Sequence, residues 1–162
     1  MALNFNTSTG TSLIRLLPAL TSTTLLTYAF SESLFLTPFM HPTIRPQSNS
    51  FLPPYFARWL ARAKYVIIIG YPATFLAGAA NLLSSPGQFA TKLYGTGMLF
   101  SLAHIFVFGP RMLGLLEDIK KGVPEGDVMG SLGTWLRINW VRAWTTDFLA
   151  WGCFVGAAAA SL

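Results

Sequence analysis

An all-α, four-helix integral membrane bundle is the fold class this sequence predicts, and three observations predict it. Of the 162 residues, 52% are hydrophobic and only 10% are charged, against about 25% charged in a soluble globular domain. Four apolar segments, at about 13–37, 63–83, 89–108 and 135–161, each reach the length a hydrocarbon core demands, which is roughly 20 residues. The basic residues gather between alternate pairs of these segments, as the loops on one face of a bilayer do. A water-soluble chain of this size has too high a surface-to-volume ratio to hide so much apolar surface. The whole chain, 1–162, reads as one domain.

The first segment stops at Pro38 and carries Glu32 near its end. It is too long for the apolar region of a signal peptide and reads as a retained first span. The stretch from Met40 to Arg62 is rich in Pro, Ser and Asn and reads as a long loop, with the apolar run Phe51 to Phe56 lying at the interface. The second segment contains Pro72, which should kink it, and ends at the turn Ser84-Ser85-Pro86-Gly87. The third ends at Gly109-Pro110; Arg111 to Lys121 reads as its helical extension into water, closed by Gly122. A short polar loop, Val123 to Gly130, leads to the fourth, whose first turns are amphipathic. Gly95-Thr96-Gly97 reads as a helix-packing site, and Gly70 lets a neighbour approach.

The first-to-second and third-to-fourth connections hold Arg45, Arg58, Arg62, Lys64, Arg111, Lys120, Lys121 and Arg137, whereas the opposite side holds Arg15 and Lys92. Positive-inside bias puts both basic loops in the cytosol and both termini in the lumen, with the endoplasmic reticulum the expected membrane. The net charge of +5 is not a nucleic-acid signature, because no basic cluster interleaves with exposed aromatics. The single cysteine, Cys153, excludes an internal disulfide and a multi-cysteine metal site. No His/Cys/carboxylate spacing resembles a metal box, and dinucleotide and phosphate-loop fingerprints are absent, so neither metal nor cofactor is expected. The partners expected are the bilayer and a lipophilic small molecule; a homo-oligomer is compatible with the sequence.

Few polar groups lie in the spans. Glu32 and His104 each sit six residues before the proline ending their segment, and Asn139, Arg142 and Asp147 open the fourth. Because the fourth runs opposite to the first and third, all five share a depth in the cytosolic half. Trp135, Asn139, Arg142 and Thr146 form one helical stripe flanked by Asp147. Thr24, Tyr28 and Glu32 form another, and Tyr65 and Tyr71 lie at similar depth. A carboxylate in hydrocarbon faces the bundle and takes a partner, here Arg142. Structural ion pairs are the alternative, although buried pairs stabilise poorly. His104 is a candidate acid or base.

Tyr55-Phe56-Ala57-Arg58-Trp59, the run Trp135 to Arg142 and the following Asp147 resemble the anthrone oxygenase-like family of small fungal membrane proteins. Members often read W-x-x-x-H-x-x-R; here Trp135 and Arg142 match, and Asn139 stands in place of the His. The resemblance extends to relatives assigned as membrane epoxide hydrolases or epoxide-opening cyclases of polyketide and meroterpenoid pathways. It implies cofactor-independent, acid-assisted opening of an epoxide on a lipophilic secondary metabolite. Two carboxylates in different environments can divide the acid and base roles. Either Asp147 or Glu32 would be the acid, with the other or His104 the base, and Arg142 would hold one carboxylate ionised. Asn139, Tyr28, Tyr71 and Trp135 would bind the substrate. An anthrone-type oxygenase with His104 as base, and a non-catalytic assembly subunit, are the two alternatives.

Overall fold

The computed structural model describes residues 7–84, 87–123 and 127–162. Ser85 and Pro86 of the expected turn, and residues 124–126 of the expected polar loop, lie outside them. The described chain is helical, with no strand. Helix α1 spans Thr7–Leu36 and passes through a 3-10 turn, Thr37–Met40, to α2, Arg45–Leu83. Helix α3, Gln88–Ala103, continues through a π-helical turn, His104–Phe108, into α4, Gly109–Lys121. Helix α5, Val128–Arg142, continues through a second π turn, Ala143–Asp147, into α6, Phe148–Ser161. Four rods result. The first packs on the second and on α6, the second on α3 and α4, α3 on α6, and α4 on α5, so that they close a ring.

Three of the rods, Thr9–Met40, Arg45–Leu83 and Gln88–Lys121, are long and apolar enough to cross a membrane. The fourth has the length, but Arg137, Arg142, Thr145, Thr146 and Asp147 dilute its apolar character. Large apolar side chains face outward all round the bundle, among them Phe35, Ile69, Leu76, Leu99 and Phe106.

The long loop expected at 40–62 is mostly helix. Pro46 occupies the first turn of α2, where its missing N–H costs nothing. Pro53 and Pro54 sit inside the helix and each removes a backbone hydrogen bond. What outweighs that loss is the apolar pair Leu52 and Phe56, four residues apart and both fully buried. They join Leu36, Met112, Leu116, Ile119, Val128, Met129, Leu132 and Trp135 in a core at the basic-loop end. The expected apolar run is therefore split between this core and the surface, where Phe51 lies.

A second core, built on Ala19, Ala90, Tyr94, Met98, Ala150, Phe154 and Ala157, fills the end near the termini. A Cβ on Gly97 would stand 2.8 Å from the Phe154 ring, and one on Gly70 would stand 2.7 Å from Leu25. Both glycines are thus close-approach sites. Gly95 is not, since its nearest neighbour would be 3.9 Å away. Gly122 ends α4 in the left-handed region at φ 73°. The Val123 and Gly122 amides turn back to the carbonyls of Asp118 and Ile119, the bond pattern that terminates helices at glycine. The third rod runs on through Gly109-Pro110 into the expected helical extension, α4. The preceding π turn shifts the backbone so that the Pro110 ring, which would clash with the carbonyl four residues back in an α-helix, is accommodated.

Candidate active site

Between the two apolar cores lies a buried polar layer with Arg142 at its centre. Its guanidinium Nη2 is 3.6 Å from Glu32 Oε2 and its Nε is 3.6 Å from Asp147 Oδ2. Nη1 stands 3.2 Å from His104 Nε2, and Nη2 also donates to the Asn139 side-chain carbonyl. Asp147 Oδ1 is 2.6 Å from His104 Nδ1 and accepts from the Tyr71 hydroxyl at 3.1 Å. None of Glu32, His104, Asn139, Arg142 and Asp147 is more than 6% exposed. The five polar residues expected to share a depth are in one connected cluster, drawn from all four rods once Tyr71 on α2 is included.

The π turns build this layer. In an α-helix, residues five apart point well away from one another; in a π turn they align. Ala143–Asp147 is such a turn, and it brings Asp147 round to the guanidinium of Arg142 in the same rod. Thr146 satisfies the local backbone by donating to the Arg142 carbonyl at 2.8 Å. His104 opens the other π turn.

Donor chemistry fixes the histidine. Arginine can only donate, so Nε2 of His104, facing Nη1, offers its lone pair. The proton sits on Nδ1, facing Asp147. His104 is therefore a neutral bridge between the cation and the carboxylate, and both its ring nitrogens are engaged.

A cavity of about 500 Å³ opens against one side of the cluster, within the range of small-molecule sites. Tyr28, Glu32, His104, Trp135 and Arg142 line it, and its other walls are apolar apart from Lys64: Trp59, Leu60, Ala63, Ile67, Ile105, Phe106, Gly109, Pro110, Met112, Leu113 and Leu116. Asp147, Asn139 and Tyr71 do not reach it. Asn139 donates to the Ala29 carbonyl at 3.0 Å and to the Ser33 hydroxyl at 2.9 Å, so it ties α1 to Arg142. Tyr71 faces a separate, smaller cavity with Pro72 and Phe75. Thr24, placed by spacing in the stripe of Tyr28 and Glu32, is exposed instead, and so is Tyr65. The sequence offered no sign of Ile105, Phe106 and Met112 as walls, since apolar residues surround a span on every side.

A larger, more open groove of about 1430 Å³ lies between α1 and α5, lined by Phe30, Leu34, Trp140, His41 and Arg137 among others. It contains none of the five clustered residues. Among the described residues no group of three or more His, Cys, Asp or Glu side chains could hold a metal ion.

No family model and no solved structure matches the chain. Curated relatives do. The chain is 40% identical to "Probable epoxidase scpX" of Mollisia scopiformis, over 93% of this chain and 96% of the relative. It is 39% identical to "Epoxidase gkaX" of Penicillium citrinum over 96% and 98%, and 38% identical to "Epoxidase pydX" of an Acremonium species over 93% and 94%. These relatives, not the anthrone oxygenase-like proteins expected from the Trp135 to Arg142 pattern, set its kinship. Similarity at this level running from end to end makes the chain a member of the fungal epoxidase family of secondary metabolism that scpX, gkaX and pydX represent.

Proposed function

We propose that the chain is a membrane-embedded epoxidase that transfers one oxygen atom to an alkene of a lipophilic secondary metabolite bound in the 500 Å³ cavity. The observation that carries this reading is a buried cation–carboxylate pair, Arg142 and Glu32, on the wall of an otherwise largely apolar cavity in a chain similar throughout to proteins named epoxidase. The outward apolar surface and the three span-length helices support a bilayer setting, with the basic loops cytosolic and the endoplasmic reticulum as the membrane.

The oxidant in this scheme is a hydroperoxide. The alkene π pair attacks its terminal oxygen, the O–O bond breaks, and a second C–O bond closes the ring. The proton of the terminal oxygen passes to Glu32 and from there to the departing oxygen, which leaves as water or an alcohol. The alkene loses two electrons and the peroxide gains them. The guanidinium of Arg142 stabilises negative charge growing on the departing oxygen, an effect strong in a water-poor site. His104, Asp147 and Asn139 hold Arg142 in place, and Tyr71 holds Asp147.

Epoxide opening, by water or an internal hydroxyl, is the second reading. It is favoured by the two carboxylates, Glu32 and Asp147, set on one guanidinium, which could divide acid and base work. Isotope origin separates the two. Membranes bearing the chain would be given a polyene with ¹⁸O-labelled hydrogen peroxide, and in parallel the corresponding epoxide in ¹⁸O-labelled water. Label from peroxide in an epoxide supports oxygen transfer; label from water in a diol supports opening. Glu32→Gln should lower the rate by about 10²- to 10⁴-fold in either case. Turnover unchanged in that variant sinks both carboxylate schemes.

A further inference from the structure

Buried polar atoms in folded proteins nearly always have partners. On the cavity wall the Trp135 indole Nε1 breaks that rule and has no hydrogen-bond partner, whereas the Tyr28 hydroxyl bonds to Glu32 and Glu32 Oε2 stands 3.6 Å from Arg142. Trp135 is 1% exposed, and its indole N–H can only donate. It belongs to an apolar cluster with Leu36 and Leu132, whose side chains offer no acceptor.

We propose that the substrate carries an acceptor oxygen, a carbonyl beside or near its alkene, and that the Trp135 indole, part of the cavity wall, turns its N–H to it in the bound state. The inference rests on the cavity being the substrate site. It adds the chemical class of the molecule: an apolar skeleton with one oxygen to be anchored, rather than a pure hydrocarbon. Trp135 lies two turns before Arg142 on α5, so an oxygen held by the indole places the adjoining carbons toward the guanidinium and Glu32. The Tyr28 hydroxyl, on the same wall, bonds to Glu32 instead and is not the anchor.

The test uses purified protein in detergent, β-ionone labelled with ¹³C at its carbonyl, and the matching hydrocarbon without the carbonyl. A net hydrogen bond to a neutral acceptor should make the ketone bind about three- to tenfold more tightly than the hydrocarbon. The labelled carbonyl stretch should move to lower wavenumber on binding. Trp135→Phe should abolish both the preference and most of the wavenumber shift while leaving hydrocarbon affinity within about twofold, which also reports that the variant is folded. Tyr28→Phe should keep the preference. The same carbonyl frequency in wild type and free solution, an equal preference in Trp135→Phe, or failure of the wild type to bind either probe would each overturn the proposal. No oxidant is present, so absence of epoxide formation elsewhere would sink the oxygen-transfer reading and leave this result standing.

Discussion

Replacing Arg142 by leucine removes the one cation that faces two buried carboxylates. Each attraction, at 3.6 Å, is worth about 4–5 kcal/mol at an effective dielectric of about 20. Desolvation of the three ions offsets much of that sum, so the pairs add little relative to an apolar layer. Deleting the partner alone is another matter. Glu32 and Asp147 then remain without a counter-charge at 5% and 6% exposure, and His104 Nε2 and the Asn139 carbonyl lose their donor. The expected loss is about 3–5 kcal/mol, a large share of the usual stability of a domain. Helical circular dichroism during denaturant titration in micelles would read it. Adding Glu32→Gln and Asp147→Asn to Arg142→Leu should restore about half, because neutral side chains no longer need a cation. A loss below about 1 kcal/mol, or a triple variant no more stable than the single one, would refute the account of Arg142 as the centre of a charged layer.

Gly97→Ala should lower stability by about 1–3 kcal/mol, since its Cβ would meet the Phe154 ring at 2.8 Å. Gly152→Ala, with open space around it, should be neutral or slightly stabilising in the same thermal melts. Phe56→Ala should cost about 3–5 kcal/mol and release the segment around Pro53-Pro54 to rapid amide exchange, because that burial is what keeps α2 helical there. In sealed microsomes, Lys121→Cys should react with an impermeant maleimide from the cytosolic side and Lys92→Cys only after the membrane is opened. Replacing Glu32, His104, Arg142 and Asp147 together by apolar residues of similar volume should raise stability by up to about 4 kcal/mol and abolish turnover.

The rods and the shared depth of the polar residues were legible because three of the rods are long unbroken apolar runs and a buried charge has few places to be. Gly122 and Gly70 were legible for local reasons, a left-handed helix end and a close approach. Residues 45–62 were misread because proline is a local signal, and burial of Leu52 and Phe56 against α4 and α5 is not local. Thr24 was put in the stripe of Tyr28 and Glu32 but is exposed, because helices apolar on all sides have no amphipathic phase to fix their rotation. The π turns left no mark in the sequence beyond Pro110, yet Asp147 reaches Arg142 through one of them. Spacing counted at 3.6 residues per turn could place Asp147 only beside the stripe, not on it.

That last point bears on why the layer exists. A π turn gives up regular backbone hydrogen bonding, and a buried ion cluster seldom repays its desolvation. Here both occur at one level, with His104 and Asp147 each in a π turn and hydrogen-bonded to one another. An apolar layer continuous with the cores above and below it would need neither. The cluster is also asymmetric: Asp147 and Asn139 meet Arg142 on the side away from the cavity, while Glu32, Trp135 and Tyr28 stand beside it. A layer that sets a cation, a carboxylate, a phenol and an unpartnered indole N–H against 500 Å³ of mostly apolar space is arranged for a molecule that enters it.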